Sequence, residues 1–390
     1  KNTIVGGLAG DALTTGNHNV AIGYQALTTE DADGRNVAVG SSALNAQNAG
    51  TDAYNVAVGY NAGQAVTTGS SNTLIGGQAG DALTTGGFNT AVGKSALSTE
   101  DANGYCTAIG YQALMTQDAG ADALNTAVGF DAGGDITTGT VNTLMGHEAG
   151  KTLTTGNHNI AIGGYALSTE DAHGRNVAIG RNALYTQDAG ADAYNVAIGF
   201  YAGNALTTGI ENTLIGGYAA DGLTTAKECT FVGANAAAGQ TITGNQNTSL
   251  GRYTLYNLTD GIGNTAIGSQ AMLNGVVTAD YNTAVGKDAG ASITSGSHNV
   301  LIGTYAGDSL SSGERNTAVG NYALSAEDGD GYNTAIGYAA LLAQNAGATA
   351  YNVAVGYNAG QAITTGVTNV IMGGNAGVAF TSGSDNIAIG

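Results

Sequence analysis

The chain has 390 residues, with 29 acidic against 10 basic side chains, a net charge of −19, 65 Gly, no Pro and no Trp. So much glycine without a strict every-third-residue spacing and without proline excludes collagen, and 43% hydrophobic residues exclude simple disorder. The lack of a basic stripe excludes nucleic acid as a partner, the acidity disfavours docking on anionic lipid, and no apolar run approaches the roughly 18 residues of a membrane-inserted span.

From the N-terminus onward one signal recurs. A glycine closes strings such as N-T-A-V-G at Gly6, Gly23, Gly40, Gly59 and Gly76, and so on to Gly390, 23 times at spacings of 17 with occasional 18 or 19. The residue before this anchor is Val, Ile, Leu or Met, and the third before it is Thr, Val or Ile, usually with Ala between. Three residues after the anchor stands Ala, with Thr254 the exception. The alternation predicts one short strand per unit, and the T-T-G or S-G string near most unit ends predicts a turn. Units this short cannot bury a face alone, so they are expected to stack as parallel coils around one core, with Val and Ile turned toward the axis.

Residues 6–75, 76–145 and 146–215 repeat one another as four-unit blocks. The pattern is irregular over 216–302 and regular again over 303–390. The expectation is a single continuous solenoid over 1–390. Its start at Lys1 and its stop at Gly390, inside the motif, read as a fragment of a longer chain. In each block two units read A-G after the anchor and two read A-L. The A-G units place an apolar residue seven after the anchor, as at Val66, Leu83 and Ile136. The A-L units carry Glu or Gln there, as at Glu30, Gln47, Glu100, Gln117, Glu170 and Gln187, and put their large apolar group four after the anchor, as at Leu27, Leu44, Leu97 and Leu114. A core of constant volume requires one large apolar side chain per unit, whichever slot supplies it.

Four residues before the anchor stands Asn in 21 units and Cys in two. The run is Asn19, Asn36, Asn55, Asn72, Asn89, Cys106, Asn125, Asn142, Asn159, Asn176, Asn195, Asn212 and Cys229, then Asn again to the end. Cysteine is small and habitually buried. Its exchange for Asn predicts an inward-facing ladder in which each carboxamide satisfies backbone groups of a neighbouring coil. The other reading is that Asn merely favours turns. The two cysteines lie seven units apart, about 34 Å at strand spacing, too far for a disulfide within one chain.

The string N-V-A-I-G-Y-Q-A-L at 19–27, with copies at 36–44, 89–97 and 333–341, resembles the head repeat of trimeric autotransporter adhesins and similar repeats of phage tail-fibre proteins. The resemblance runs over nearly the whole chain on about nine residues per unit, although the family's unit is shorter. It implies a left-handed parallel β-roll, three chains side by side, and an adhesive or spacing role outside the cell. It carries over no catalytic or ligand residue.

Chemistry is harder to find. The turns E-D-A-D-G (30–34), E-D-A-N-G (100–104), E-D-A-H-G (170–174) and E-D-G-D-G (327–331) offer carboxylates at Asp31, Asp33, Asp101, Asp171, Asp328 and Asp330. Calcium needs six to eight oxygens, so these are calcium candidates, with a solvated turn favoured over them. Tyr24, Tyr60, Tyr111, Tyr338 and Tyr357 directly follow an anchor Gly, where regular rings would stack along the coils or recognise a host-surface glycan or protein. The Thr slot three before the anchor alternates with Val, which suits a core-facing or subunit-facing position and argues against ice binding. The five His are scattered: His18, His158 and His298 precede ladder Asn residues, His147 and His173 sit elsewhere, and no zinc site converges. No serine has a triad partner, and no Lys completes a phosphate loop.

These observations predict an all-β parallel β-solenoid of about 23 coils of 17–19 residues. Its expected role is structural: a shaft of a cell-surface or virion fibre, assembled with itself as a trimer, with no resident cofactor and no enzymatic activity. A glycan- or calcium-binding module is the alternative, and an ice-binding protein a remote one.

Overall fold

The computed structural model describes every residue except Asp33, Asn103 and Asp330, and it contains two compact units, Lys1–Tyr194 and Asn195–Gly390. Among the described residues there is no helix, and all regular structure is three-residue strands. The first unit runs from β1 (Thr3–Val5) to β11 (Val177–Ile179), the second from β12 (Val196–Ile198) to β23 (Ile387–Ile389). Within each unit every strand pairs in parallel with the next, residue for residue. Thr3, Ile4 and Val5 lie opposite Val20, Ala21 and Ile22, and Val196, Ala197 and Ile198 opposite Thr213, Leu214 and Ile215. Each unit is therefore a parallel β-solenoid with one coil per repeat.

The anchor glycine has a steric cause. Gly23 has φ +133°, and a Cβ there would lie 2.5 Å from the carbonyl oxygen of Gly40, the same position one coil on. No side chain fits so close an approach, and that φ is open only to glycine. Beyond the strands the backbone still bonds coil to coil: the N–H groups of Gly10, Ala12 and Thr14 donate to the carbonyls of Ala26 (2.9 Å), Thr28 (3.1 Å) and Asp31 (2.8 Å). A coil this narrow needs sharp corners, which left-handed residues supply, as at His18 (φ 62°), Gln25 (57°) and Leu27 (53°). The conformation costs a leucine about 1–2 kcal/mol; full burial of Leu27 offsets this with about 1.5–3 kcal/mol.

The direction of the strand side chains corrects the sequence-based expectation. The middle residue points inward: Ala21, Ala38, Ala57 and Leu74 are fully buried. The β-branched residues on either side point outward, with Ile22, Val58, Ile75 and Ile109 between 36% and 39% exposed. Successive side chains of a strand alternate in direction, so the ladder Asn and the middle residue share the inner side while the Thr/Val and Val/Ile positions share the outer. Turning both Asn and Val/Ile inward breaks that parity. On the strand the inner position is mostly Ala, which leaves interior volume to the buried Leu, Ile and Val side chains elsewhere in the coil.

The two ways of filling the core are complementary. Leu27, Leu44, Leu97 and Leu114 are buried in the A-L coils, and Val66, Leu83, Ile136 and Leu153 in the A-G coils. A Cβ on Gly80 would meet Leu74 Cδ2 and Leu83 Cδ1, both at 2.8 Å, so glycine there makes the room those leucines occupy. The Glu/Gln slot of the A-L coils is also fully buried, which the sequence did not indicate. Over 216–302 the coils persist through local exchanges. Thr254, the one departure from Ala after the anchor, pairs its hydroxyl at 2.6 Å with Ser249, which stands at a middle-strand position.

Candidate functional site

The inward-facing polar groups come first. All the ladder residues from Asn19 to Cys229 are at most 1% exposed. The backbone N–H of Asn36 donates to Asn19 Oδ1 (3.0 Å), that of Asn55 to Asn36 Oδ1 (3.0 Å), and that of Asn72 to Asn55 Oδ1 (2.8 Å). The amide end turns to the next coil's turn: Asn72 Nδ2 donates to the Gly86 carbonyl (2.9 Å) and Asn142 Nδ2 to that of Gly156 (2.9 Å). In A-L coils it also meets the buried acid or amide, as from Asn55 to Gln47 Oε1 at 2.7 Å and from Asn36 to Glu30 Oε2 at 3.3 Å. Cys106 keeps the N–H end of the ladder, donating to Asn89 Oδ1 at 2.9 Å. Burial pushes its thiol up to about 12 and that of Cys229 up to about 11, so neither supplies a nucleophilic thiolate at neutral pH. The ladder is therefore structural.

The outward faces carry what remains available to a partner. Tyr24, Tyr60, Tyr111, Tyr338 and Tyr357 are all between 41% and 62% exposed. Three of them join ring columns that climb from coil to coil. In the first unit Tyr111 stacks on Phe130 (centroids 5.2 Å apart), Phe130 on His147 (5.1 Å), and His147 meets Tyr165 (5.0 Å). In the second, Tyr305 stacks on Tyr322 (5.3 Å) and Tyr338 on Tyr357 (5.4 Å). The sequence reading named the tyrosines, passed over Phe130 and counted His147 among the scattered histidines, although both occupy the same slot after the anchor. A second set follows the residue before the ladder Asn. Arg35 and Arg175 each lie over a tyrosine ring, Tyr54 and Tyr194, at 5.4 Å, while pairing with Asp52 and Asp192. Beside these columns runs the aliphatic strand face, with Thr73, Thr90, Thr107, Thr126 and Thr143 on five successive coils.

The acidic turns divide. Asp31, Asp101, Asp171 and Asp328 all have exposed side chains. Their carbonyls hold the preceding coil's turn: that of Asp31 accepts from the N–H groups of Thr14 (2.8 Å), Thr15 (3.2 Å) and Gly16 (3.3 Å), that of Asp328 from Ser311 (2.7 Å) and Ser312 (3.1 Å). Asp33 and Asp330 lie outside the described residues. Two turns nevertheless gather ligand atoms within 4.8 Å of one another: Glu170, Asp171, His173 and Asp188, and likewise Glu100, Asp101 and Asp118. The expectation that no histidine converges with other ligands is thereby corrected. Glu170 and Asp188 escaped the sequence reading because one is the buried slot of its coil and the other lies a full coil further on. Burial pushes the Glu170 carboxyl up to about 8, with the charges of Asp188 and Asp171 adding to the effect and the backbone N–H groups of His173 and Ala189 offsetting part of it.

Among the described residues no helix is long and apolar enough to cross a membrane. Compared with protein-family models and with curated proteins, the chain matches none.

Proposed function

We propose that the chain is a structural segment of a cell-surface or virion fibre, similar in role to the adhesin heads whose repeat it resembles, and that it works as a homotrimer. The observation carrying this reading is the exposed aliphatic strand face. Ile22, Val58, Ile75 and Ile109 in the first unit and Ile198, Ile215, Ile302 and Ile336 in the second stand outward at the same strand position. Burying such a β-branched face against another copy is the driving force an obligate assembly uses. The inward side chains are consumed by packing and by the Asn ladder, so recognition falls to the outward columns, where stacked tyrosines suit a glycan or a protein partner.

The test combines solution mass from light scattering with the radius of gyration from small-angle scattering. A mass of three chains and a radius well above the ~32 Å expected of a compact globule of three 390-residue chains are expected. A monomer at all concentrations overturns the assembly, and a globular radius overturns the shaft. A second reading, ice binding, gains from the outward direction of Thr73 to Thr143, since the sequence reading had set it aside on a Thr slot that alternates with Val and suits a core-facing or subunit-facing position. Thermal hysteresis in the same sample would favour that reading over the shaft.

A further inference from the structure

We propose that Glu170, Asp171, His173 and Asp188 form a binding site for a divalent transition-metal ion of the zinc class, which ties one coil of the first unit to the next. Acidic turns recur along this solenoid, and acidity alone marks no site. Two further features, found together at this turn alone among the described residues, mark this one.

The first is a buried carboxylate with one oxygen left without a partner. Glu170 is fully buried, and its Oε2 accepts no hydrogen bond. At the equivalent slots Glu30 Oε2 and Glu327 Oε2 each accept from a ladder amide, Asn36 and Asn333, at 3.3 Å. The second is the imidazole. His173 Nδ1 is likewise buried without a hydrogen bond, and it lies 3.7 Å from Glu170 Oε1, too far to bond. Glu170 Oε1 accepts from the His173 backbone N–H at 3.3 Å, so the carboxylate's other oxygen, Oε2, and the imidazole Nδ1 are two buried polar atoms in one small cluster that are costly unless something there satisfies both. Ligands at 2.0–2.2 Å from a tetrahedral zinc stand about 3.4 Å apart, close to the separation found here. Asp171 and Asp188 bring the set to four, with all ligand atoms within 4.8 Å.

The donor set decides the ion. Calcium takes six to eight oxygens, whereas a nitrogen donor among carboxylates suits zinc and its neighbours. Glu100, Asp101 and Asp118 form the same arrangement without an imidazole among them, and so serve as an internal comparison. Because Asp188 comes from the following coil, the ion would add a cross-link between two laps already joined at this turn by Thr169 Oγ1, which donates to the Tyr185 carbonyl at 2.6 Å.

The experiment uses the full chain stripped with a chelator, then titrated with Zn2+ by calorimetry and with Co2+ by its visible d–d absorption. One tight equivalent per chain is expected, and Ca2+ does not displace it. Glu170→Gln and His173→Asn place at this turn residues the chain itself uses at Gln187 and Asn103, so folding should persist, checked by circular dichroism in chelator. Each should weaken binding at least ~10-fold, the scale lost even when a ligand's outer partner is removed. Asp188→Asn alters only an exposed side chain and should weaken binding in the same direction. No saturable Zn2+ binding, unchanged affinity in all three variants, or displacement by Ca2+ would each overturn the site. None of these outcomes bears on whether the chain is a fibre segment.

Discussion

At the scale of single residues, the ladder Asn does three jobs at once: it accepts from the next coil's N–H, donates to a turn carbonyl, and fills a slot too small for anything longer. Cysteine does only part of this. Its N–H still bonds the preceding Asn, but it brings no carboxamide. Asn142 lies mid-ladder, with Oδ1 accepting from Asn159 N–H at 2.9 Å and Nδ2 donating to Gly156 at 2.9 Å. Asn142→Ala would strand a buried N–H and a buried carbonyl and should cost about 2–4 kcal/mol in urea denaturation. Asn142→Cys, copying the natural exchange, should cost less. Equal losses in the two variants would mean that the carboxamide contributes only volume. The Cys-for-Asn exchange made this burial legible before any coordinates. The bond partners were not legible, because they lie 14 and 17 residues away on the next lap.

At the scale of the coil, Gly80 and Leu74 divide one volume between them. Gly80→Leu would overpack against Leu74 and Leu83 and should cost about 1–3 kcal/mol; Leu74→Ala would open a cavity and cost about 2–5 kcal/mol. The double variant should be less destabilised than the sum of the two, because each change supplies what the other removes. Simple additivity in thermal or urea melts would show that A-G and A-L coils do not trade volume. The same scale holds the clearest failure of sequence reasoning. Period-2 alternation is visible in N-T-A-V-G, yet the pattern alone does not say which parity faces inward. The β-branched positions look like core by hydrophobicity, but the inward strand positions belong to Asn and mostly Ala, and the large buried side chains come chiefly from the second half of the lap.

At the scale of the whole chain, charge dominates. The net charge of −19 is self-repelling. Burial also raises the carboxyls of Asp81, Asp221 and Asp308 above their ordinary value of 3.8. A carboxyl whose folded-state pKa is raised binds its proton more tightly in the folded chain. That stability is fully present below 3.8 and is lost as pH rises through the folded value. The melting temperature should therefore rise as pH is lowered from 7 toward about 4, and added salt at pH 7 should raise it by screening. A fall in melting temperature over that pH range would mean that ion pairs such as Lys151–Asp131, at 2.8 Å, outweigh both effects.

The sequence by itself determined the lap length, the strand in each lap, the anchor glycine and the buried ladder, since each depends on a residue type recurring at one spacing. Only the tertiary structure decided which strand face looks outward, that the Glu/Gln slot is buried, and that His173 meets a carboxylate one coil away. Those are relations across laps, and coil stacking brings residues 14 to 20 positions apart into contact without leaving any local pattern for the sequence to display.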